Sequence, residues 1–161
     1  MSVPGPQTKS EIMQTPYWGL PDPDLKPEFY ADVPAKRLIA WIIDTVLITL
    51  LCVLIVPFTA FTALFFFAFL YLVVGFAYRT VTLANSSATP GMWLMAITIR
   101  NHDGSPLHLP MAALHTLGYS VSTTLILLQG ISIILMMTQP RGQSLTDLVL
   151  GTAALNRAAR S

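Results

Sequence analysis

The chain has 161 residues, of which 53% are hydrophobic and only 11% charged. A soluble domain carries about 25% charged residues, so this composition, with its mean hydropathy of +0.61, excludes an ordinary soluble domain and points to an integral membrane protein. The net charge of +1 gives no support for nucleic-acid binding, and the length suits one domain.

Residues 1–35 lack an apolar h-region and carry prolines throughout, so they read as a flexible polar tail and not as a signal peptide. Within this tail, Tyr17-Trp18-Gly19-Leu20 and Phe29-Tyr30 suit the membrane interface, where aromatic rings are favoured. They equally suit a segment that docks on a partner, or a disordered tail with incidental aromatics. The first membrane helix is expected from about Lys36 to Val56. Pro57 ends it and leaves almost no loop before a second helix, from about Thr59 to Thr80. Each has roughly 20 residues, enough to cross a hydrocarbon core of about 30 Å. The turn between them holds no Lys or Arg, whereas Lys36, Arg37 and Arg79 flank the opposite end. The positive-inside rule then places the N-terminal tail and residues 80–110 in the cytoplasm. Cys52 is the sole cysteine. It reads as a small buried hydrophobe and has no partner for an intrachain disulfide.

Asp44 is the only charge in an apolar run from Leu38 to Tyr78. A charged side chain near the centre of a membrane helix costs roughly 2.5–3.5 kcal/mol on insertion scales, so an intramembrane carboxylate needs an explanation. Arg37 lies seven positions earlier, on the same helical face. Its long side chain can bend toward Asp44 while keeping its head near the headgroups.

In the middle segment, Met92-Trp93-Leu94-Met95-Ala96 suits a short amphipathic turn. Ala96-Ile97-Thr98-Ile99-Arg100 has a short β pattern, and Asp103-Gly104 is a hairpin signal. Leu107-His108-Leu109 is then the expected return strand, and Pro110 opens the next helix. The third apolar stretch, Met111 to Thr138, holds no formal charge. It is long for one crossing and short for two, which need about 40 residues. Two arrangements follow. A single crossing puts Arg141, Arg157 and Arg160 outside. A break or re-entry around Gln129-Gly130 keeps them inside and brings the small strand Thr152–Leu155 to the side of the hairpin; this second arrangement is the one the charge rule favours. Ser144 with Asp147 has the spacing of a capping box, with Asp in place of Glu, so Asp147 has a structural reading as cap or Arg partner. Residues 157–161 form a basic C-terminal tail, and residues 36–156 the membrane domain.

Arg37 at a helix start, Asp44 inside that helix, and Leu145-Thr146-Asp147-Leu148-Val149-Leu150-Gly151-Thr152 together resemble the RDD family of small bacterial membrane proteins. That family is named for one Arg and two Asp. Ala88-Thr89-Pro90-Gly91, Ile97-Thr98-Ile99 and Asp103-Gly104-Ser105-Pro106-Leu107 add to the likeness, which covers roughly residues 35–156. Met92, His115 and Thr146 stand where the family often has Lys, Arg and His. The resemblance implies a multi-pass protein of the bacterial inner membrane with at least two spans, and cation–proton antiport has been proposed for some members.

The expected fold class is therefore a mainly α, polytopic membrane protein with an N-terminal transmembrane hairpin, a third broken or re-entrant apolar helix and a small cytoplasmic β-hairpin. Two functions compete. In the first, Arg37, Asp44 and Asp147 form one internal ion-pair network, and the chain is a structural or partner-binding module in the lipid bilayer. In the second, Asp44 is the titrating carboxylate of a small cation/proton antiporter, with Thr45, Thr49 and Tyr71 lining an ion path in a homo-oligomer. Against transport, the chain shows no internal repeat of the kind many transporters carry. No enzyme is expected. His102, His108 and His115 lie six and seven apart and make no tight ligand set, the seven Met residues fall in apolar segments, and no nucleotide, cofactor or triad motif is present.

Overall fold

A computed structural model describes residues 19–157. It contains α1 (Val33–Ile55), α2 (Phe67–Ser86), the short α3 (Pro90–Leu94), β1 (Ile97–Asn101), α4 (Leu109–Thr124), α5 (Ile126–Thr138), α6 (Leu145–Leu150) and β2 (Thr152–Asn156). The segments Pro27–Thr59 and Phe67–Ser86 are long and apolar enough to cross a membrane.

The burial pattern is that of a membrane protein. Along α1, Ala40, Asp44, Ile48 and Cys52 are buried at four-residue spacing. Leu38, Ile42, Val46, Leu50 and Leu54 are exposed at the same spacing on another face. Positions four apart share one side of a helix, so the polar residue turns inward and the aliphatic ones face outward. Leu54 is 63% exposed and Phe65 88%, whereas Asp44 and Asp147 are 0%. Water penalises such a surface heavily and lipid does not.

The connection between α1 and α2 is longer than the sequence suggests. It runs through 3-10 turns at Val56–Thr59 and Thr62–Leu64, so α2 starts at Phe67 and not near Thr59. Ala60 and Phe61 take φ of 48° and 64°, which a right-handed helix cannot accommodate. At its other end α2 continues to Ser86, past Thr80. Arg79 and Thr80 look like a boundary in sequence, but both side chains turn into the protein.

The expected hairpin between β1 and Leu107–Leu109 does not form. β1 pairs with β2 instead, antiparallel, with Ile97 opposite Asn156 and Asn101 opposite Thr152. The Asp103-Gly104 turn exists, and Gly104 takes a φ of 79°. Beyond it the return path makes one isolated bridge, Arg100 to Pro106. The Leu107 N–H is occupied by Ser87 Oγ at 2.8 Å, and Pro106 and Pro110 have no N–H to offer a ladder. Ile97, Ile99 and Ala154 from the sheet join Val33, Leu83, Leu107 and Ala112 in the main core.

The third apolar stretch is broken, as expected, but at Leu125 and not at Gln129-Gly130. α4 and α5 meet there at 114°, and Leu125 is extended at φ −100° and ψ 99°. The Ser122 hydroxyl donates to Gln129 Oε1 across the bend at 3.0 Å, so Gln129 clasps the break instead of making it. Both ends of this pair adjoin the start of α1. Ala112 packs with Val33, and a Cβ on Gly142 would lie 3.4 Å from Pro34 Cγ.

Part of the segment read as a flexible tail is packed. Leu20 and Tyr30 bury themselves against Ala153 and Leu155 of β2. Gly19 N–H donates to the His102 carbonyl at 2.9 Å. Tyr17 and Trp18 lie outside the described residues, as does Arg160.

Gly91 permits the closest approach of α3 to α1. A Cβ there would stand 2.3 Å from the Ala40 carbonyl oxygen and 2.9 Å from Asp44 Oδ1. Gly91→Ala should therefore destabilise the detergent-solubilised protein by about 1–3 kcal/mol, the usual range for overpacking. At Gly130 a Cβ meets nothing within 4 Å, so Gly130→Ala should be neutral or slightly stabilising through helix propensity. Thermal unfolding of the two variants side by side checks this; equal losses in both would remove the packing argument.

Candidate functional site

Arg37, Asp44 and Asp147 do not form one network. The structure places them in two clusters, each built around one carboxylate, and brings in partners that sequence spacing does not show.

The first cluster surrounds Asp44. Its Oδ1 accepts from the Tyr78 hydroxyl at 2.9 Å and from the Gly91 backbone N–H at 2.9 Å. Its Oδ2 accepts from Thr89 Oγ1 at 2.5 Å, with Arg79 Nη1 at 3.9 Å. The cation beside Asp44 is thus Arg79 of α2 and not Arg37 of its own helix. Thr89 is the N-cap of α3, and its side chain also accepts from the Met92 N–H. Pro90 at the first helical position fits this start. The Arg79 guanidinium lies 4.3 Å from the centroid of the Tyr119 ring, and Trp41 Nε1 donates to the Tyr119 hydroxyl at 2.7 Å.

The residues proposed to line an ion path do not supply these contacts. Thr49 donates its hydroxyl to the Thr45 carbonyl one turn back, at 2.8 Å. The tyrosine bonded to Asp44 is Tyr78, seven positions after Tyr71 on α2.

The second cluster surrounds Asp147, near the start of α6. The capping box is present: the Ser144 side chain accepts from the Asp147 N–H, and the Asp147 side chain accepts from the Ser144 N–H. Asp147 Oδ2 also accepts from Arg37 Nη1 at 2.5 Å and from Ser144 Oγ at 2.7 Å. Oδ1 accepts from Thr152 Oγ1 at 2.8 Å and from His115 Nε2 at 2.9 Å. An ionised carboxylate only accepts, so that ring nitrogen carries the proton. Burial pushes the Asp147 carboxyl upward. The Arg37 charge, His115 and the Ser144 hydrogen bond outweigh it and hold the group well below the usual carboxylate range.

Arg37 and Asp44 therefore serve different partners from one helix, and α4 links the clusters. His115 and Tyr119 are four residues apart on α4, which puts them one turn apart on one side. His115 reaches Asp147 and Tyr119 stacks on Arg79. Sequence reasoning read Arg79 as a topology marker and gave His115 no place in a ligand set. His115 is in fact buried. The available signal was charge count: two buried Asp require two cations, and Arg79 is the charge that closes the second span. His102 and His108 are exposed. Among the described residues, no three His, Cys, Asp or Glu side chains converge in the manner of a metal site.

Asp147 gives a pH-dependent stability with a definite sign. Its folded pKa is depressed, so between the folded and unfolded values the unfolded chain binds more protons and stability falls as pH falls. The contribution is complete above the ordinary carboxylate pKa near 4 and is lost progressively below it. Asp147→Asn should cost about 3–5 kcal/mol by leaving Arg37 without its partner. The variant should also show a flatter loss of melting temperature between about pH 5 and 3 than the parent. Parallel slopes for parent and variant would show that Asp147 does not carry the acid sensitivity.

The sequence model of the RDD family matches residues 32–151. Comparison with curated proteins and with solved structures gives no match. The match spans the starts of both clusters, from Arg37 and Asp44 on α1 to Asp147 on α6, and RDD domains occur in small membrane proteins; with its apolar spans and its one Arg and two Asp at the cluster centres, the chain belongs to the RDD family.

Proposed function

We propose that this chain is a non-catalytic module of the bacterial inner membrane, in which two carboxylate clusters lock apolar helices to a small lobe, the β1–β2 sheet with its cover of Leu20 and Tyr30, that serves assembly with a membrane-protein partner or a second copy. The observation that carries this reading is the closure of Asp44. The residue is 0% exposed, and its two oxygens are occupied by Tyr78, Thr89 and the Gly91 N–H, with Arg79 beside them. A transport carboxylate must release its proton and accept a cation from each side in turn. A carboxylate held by donors from α2 and α3 in a closed site is suited to fixing helices.

In the same reading the chain crosses the membrane twice, through α1 and α2, and α4–α5 enters and leaves on one side. Both ends of that pair adjoin the start of α1, which supports re-entry over a third crossing. Re-entrant backbone must be buried in protein or line water, and the Ser122–Gln129 clasp meets part of that need. Lys36 and Arg37 then lie on the cytoplasmic side by the charge rule.

The full-length protein in proteoliposomes separates this reading from antiport. With a pH-sensitive dye inside and a sodium or potassium gradient imposed, the parent should show no proton-coupled flux above protein-free vesicles. Asp44→Asn should lower the melting temperature in detergent. Asp44→Leu combined with Arg79→Met should recover part of that loss, because an unpaired buried charge costs more than a missing pair. Flux in the parent that vanishes in Asp44→Asn, with size-exclusion profile and melting temperature unchanged, would overturn the structural reading in favour of transport.

A further inference from the structure

A cleft of about 390 Å³ opens where the C-terminal turns of α2 meet α3, lined chiefly by Thr82, Ser86, Ala88, Pro90, Trp93 and Leu94. Its lining is almost wholly apolar, and no acidic residue contributes to it. Trp93 is 59% exposed and Leu94 58%. α3 begins directly after the end of the second span, so these side chains stand at the level where a bilayer turns from hydrocarbon to headgroup. Trp is favoured at that level. The lip of the cleft is cationic. The Arg157 guanidinium lies 5.8 Å from the centroid of the Trp93 ring, and the Arg157 backbone is fixed by its N–H to the Ala96 carbonyl at 2.7 Å. An apolar trough under a cationic rim has the shape and charge of an acyl chain with an anionic head.

We propose that this cleft is a binding site for one anionic phospholipid, with an acyl chain in the trough beside Trp93 and Leu94 and the phosphate on Arg157. The site borders the Asp44 cluster at Thr89 but draws its ligand contacts from other residues, so the proposal stands whether the module is structural or a transporter. Thr89 lines the cleft but donates its hydroxyl hydrogen bond to Asp44, so that hydroxyl is not available as a donor to the phosphate. Recognition of the phosphate therefore rests on Arg157.

The chain has three Trp residues, so the full-length protein carrying Trp18→Phe and Trp41→Phe reports from Trp93 alone. It is reconstituted in vesicles of phosphatidylglycerol and phosphatidylcholine at equal mole fraction, with bromine placed on one lipid or the other. Brominated phosphatidylglycerol should quench Trp93 more strongly than brominated phosphatidylcholine, with an occupancy preference of about fivefold, the value expected for one basic residue at an anionic surface. Arg157→Gln should bring the preference close to one, and Arg157→Lys should retain part of it. Equal quenching by the two lipids in the Arg157 protein, or a preference unchanged by Arg157→Gln, overturns the proposal. If Trp41→Phe prevents folding through loss of the Tyr119 contact, native mass spectrometry of the unmodified chain against Arg157→Gln decides it. Retention of phosphatidylglycerol over phosphatidylcholine must then be seen in the first and lost in the second.

Discussion

Two carboxylates are buried in a protein whose outer surface is apolar, and this fixes the rest of the structure. A buried carboxylate without donors is far too costly to persist. Asp44 and Asp147 must therefore draw donors from elements distant in sequence, and each does. Asp44 ties α1 to Tyr78 on α2 and to Thr89 and Gly91 at the start of α3. Asp147 ties α6 to Arg37 on α1, to His115 on α4 and to Thr152 at the start of β2. Between them the two groups fasten α1, α2, α3, α4, α6 and β2. Lipid-facing aliphatic side chains cannot specify such an arrangement, because lipid tails are as apolar as they are. The hydrogen bonds supply the specificity instead.

The lobe follows from the same constraint. Thr152 bonds Asp147 and begins β2, which pairs along its length with β1. The chain enters β1 shortly after Gly91 has closed on Asp44. The two strands, separated by some fifty positions in sequence, are held in register between the two clusters. The segment from Gly19 to Tyr30 then covers β2 with Leu20 and Tyr30. α4 carries His115 and Tyr119 on successive turns, so one helix contacts both clusters.

The membrane class, the existence of a break in the third apolar stretch and the capping box at Ser144 were legible in the sequence. Each is a local signal: hydropathy, the length of an apolar run, a cap at fixed offset. The pairings were less so. Arg37 and Asp44 share a helical face and are near in sequence, but Arg37 reaches Asp147 across more than a hundred positions. Spacing within one helix shows which groups could meet and says nothing of competing partners on other helices. The false hairpin has a related cause. Asp103-Gly104 does make its turn, but whether the following residues form a strand depends on where their N–H groups go. Ser87 takes the one at Leu107. The family resemblance pointed to Arg37, Asp44 and Asp147; Tyr78, Arg79, Thr89 and His115 became visible as their partners only in three dimensions.

The account requires the polar ends of all the apolar segments to meet at one pole, with the chain entering and leaving the α4–α5 element on the same side as it enters α1. C-terminal topology tests this most directly. A reporter active only in the cytoplasm and one active only in the periplasm are each fused after Ser161 in the full-length chain. Activity of the cytoplasmic reporter, with silence of the other, is the expected result and keeps Arg37 and Asp147 on a common face. Activity of the periplasmic reporter would mean three plain crossings, would separate Asp147 from Arg37 by the thickness of the bilayer, and would contradict the two-cluster architecture.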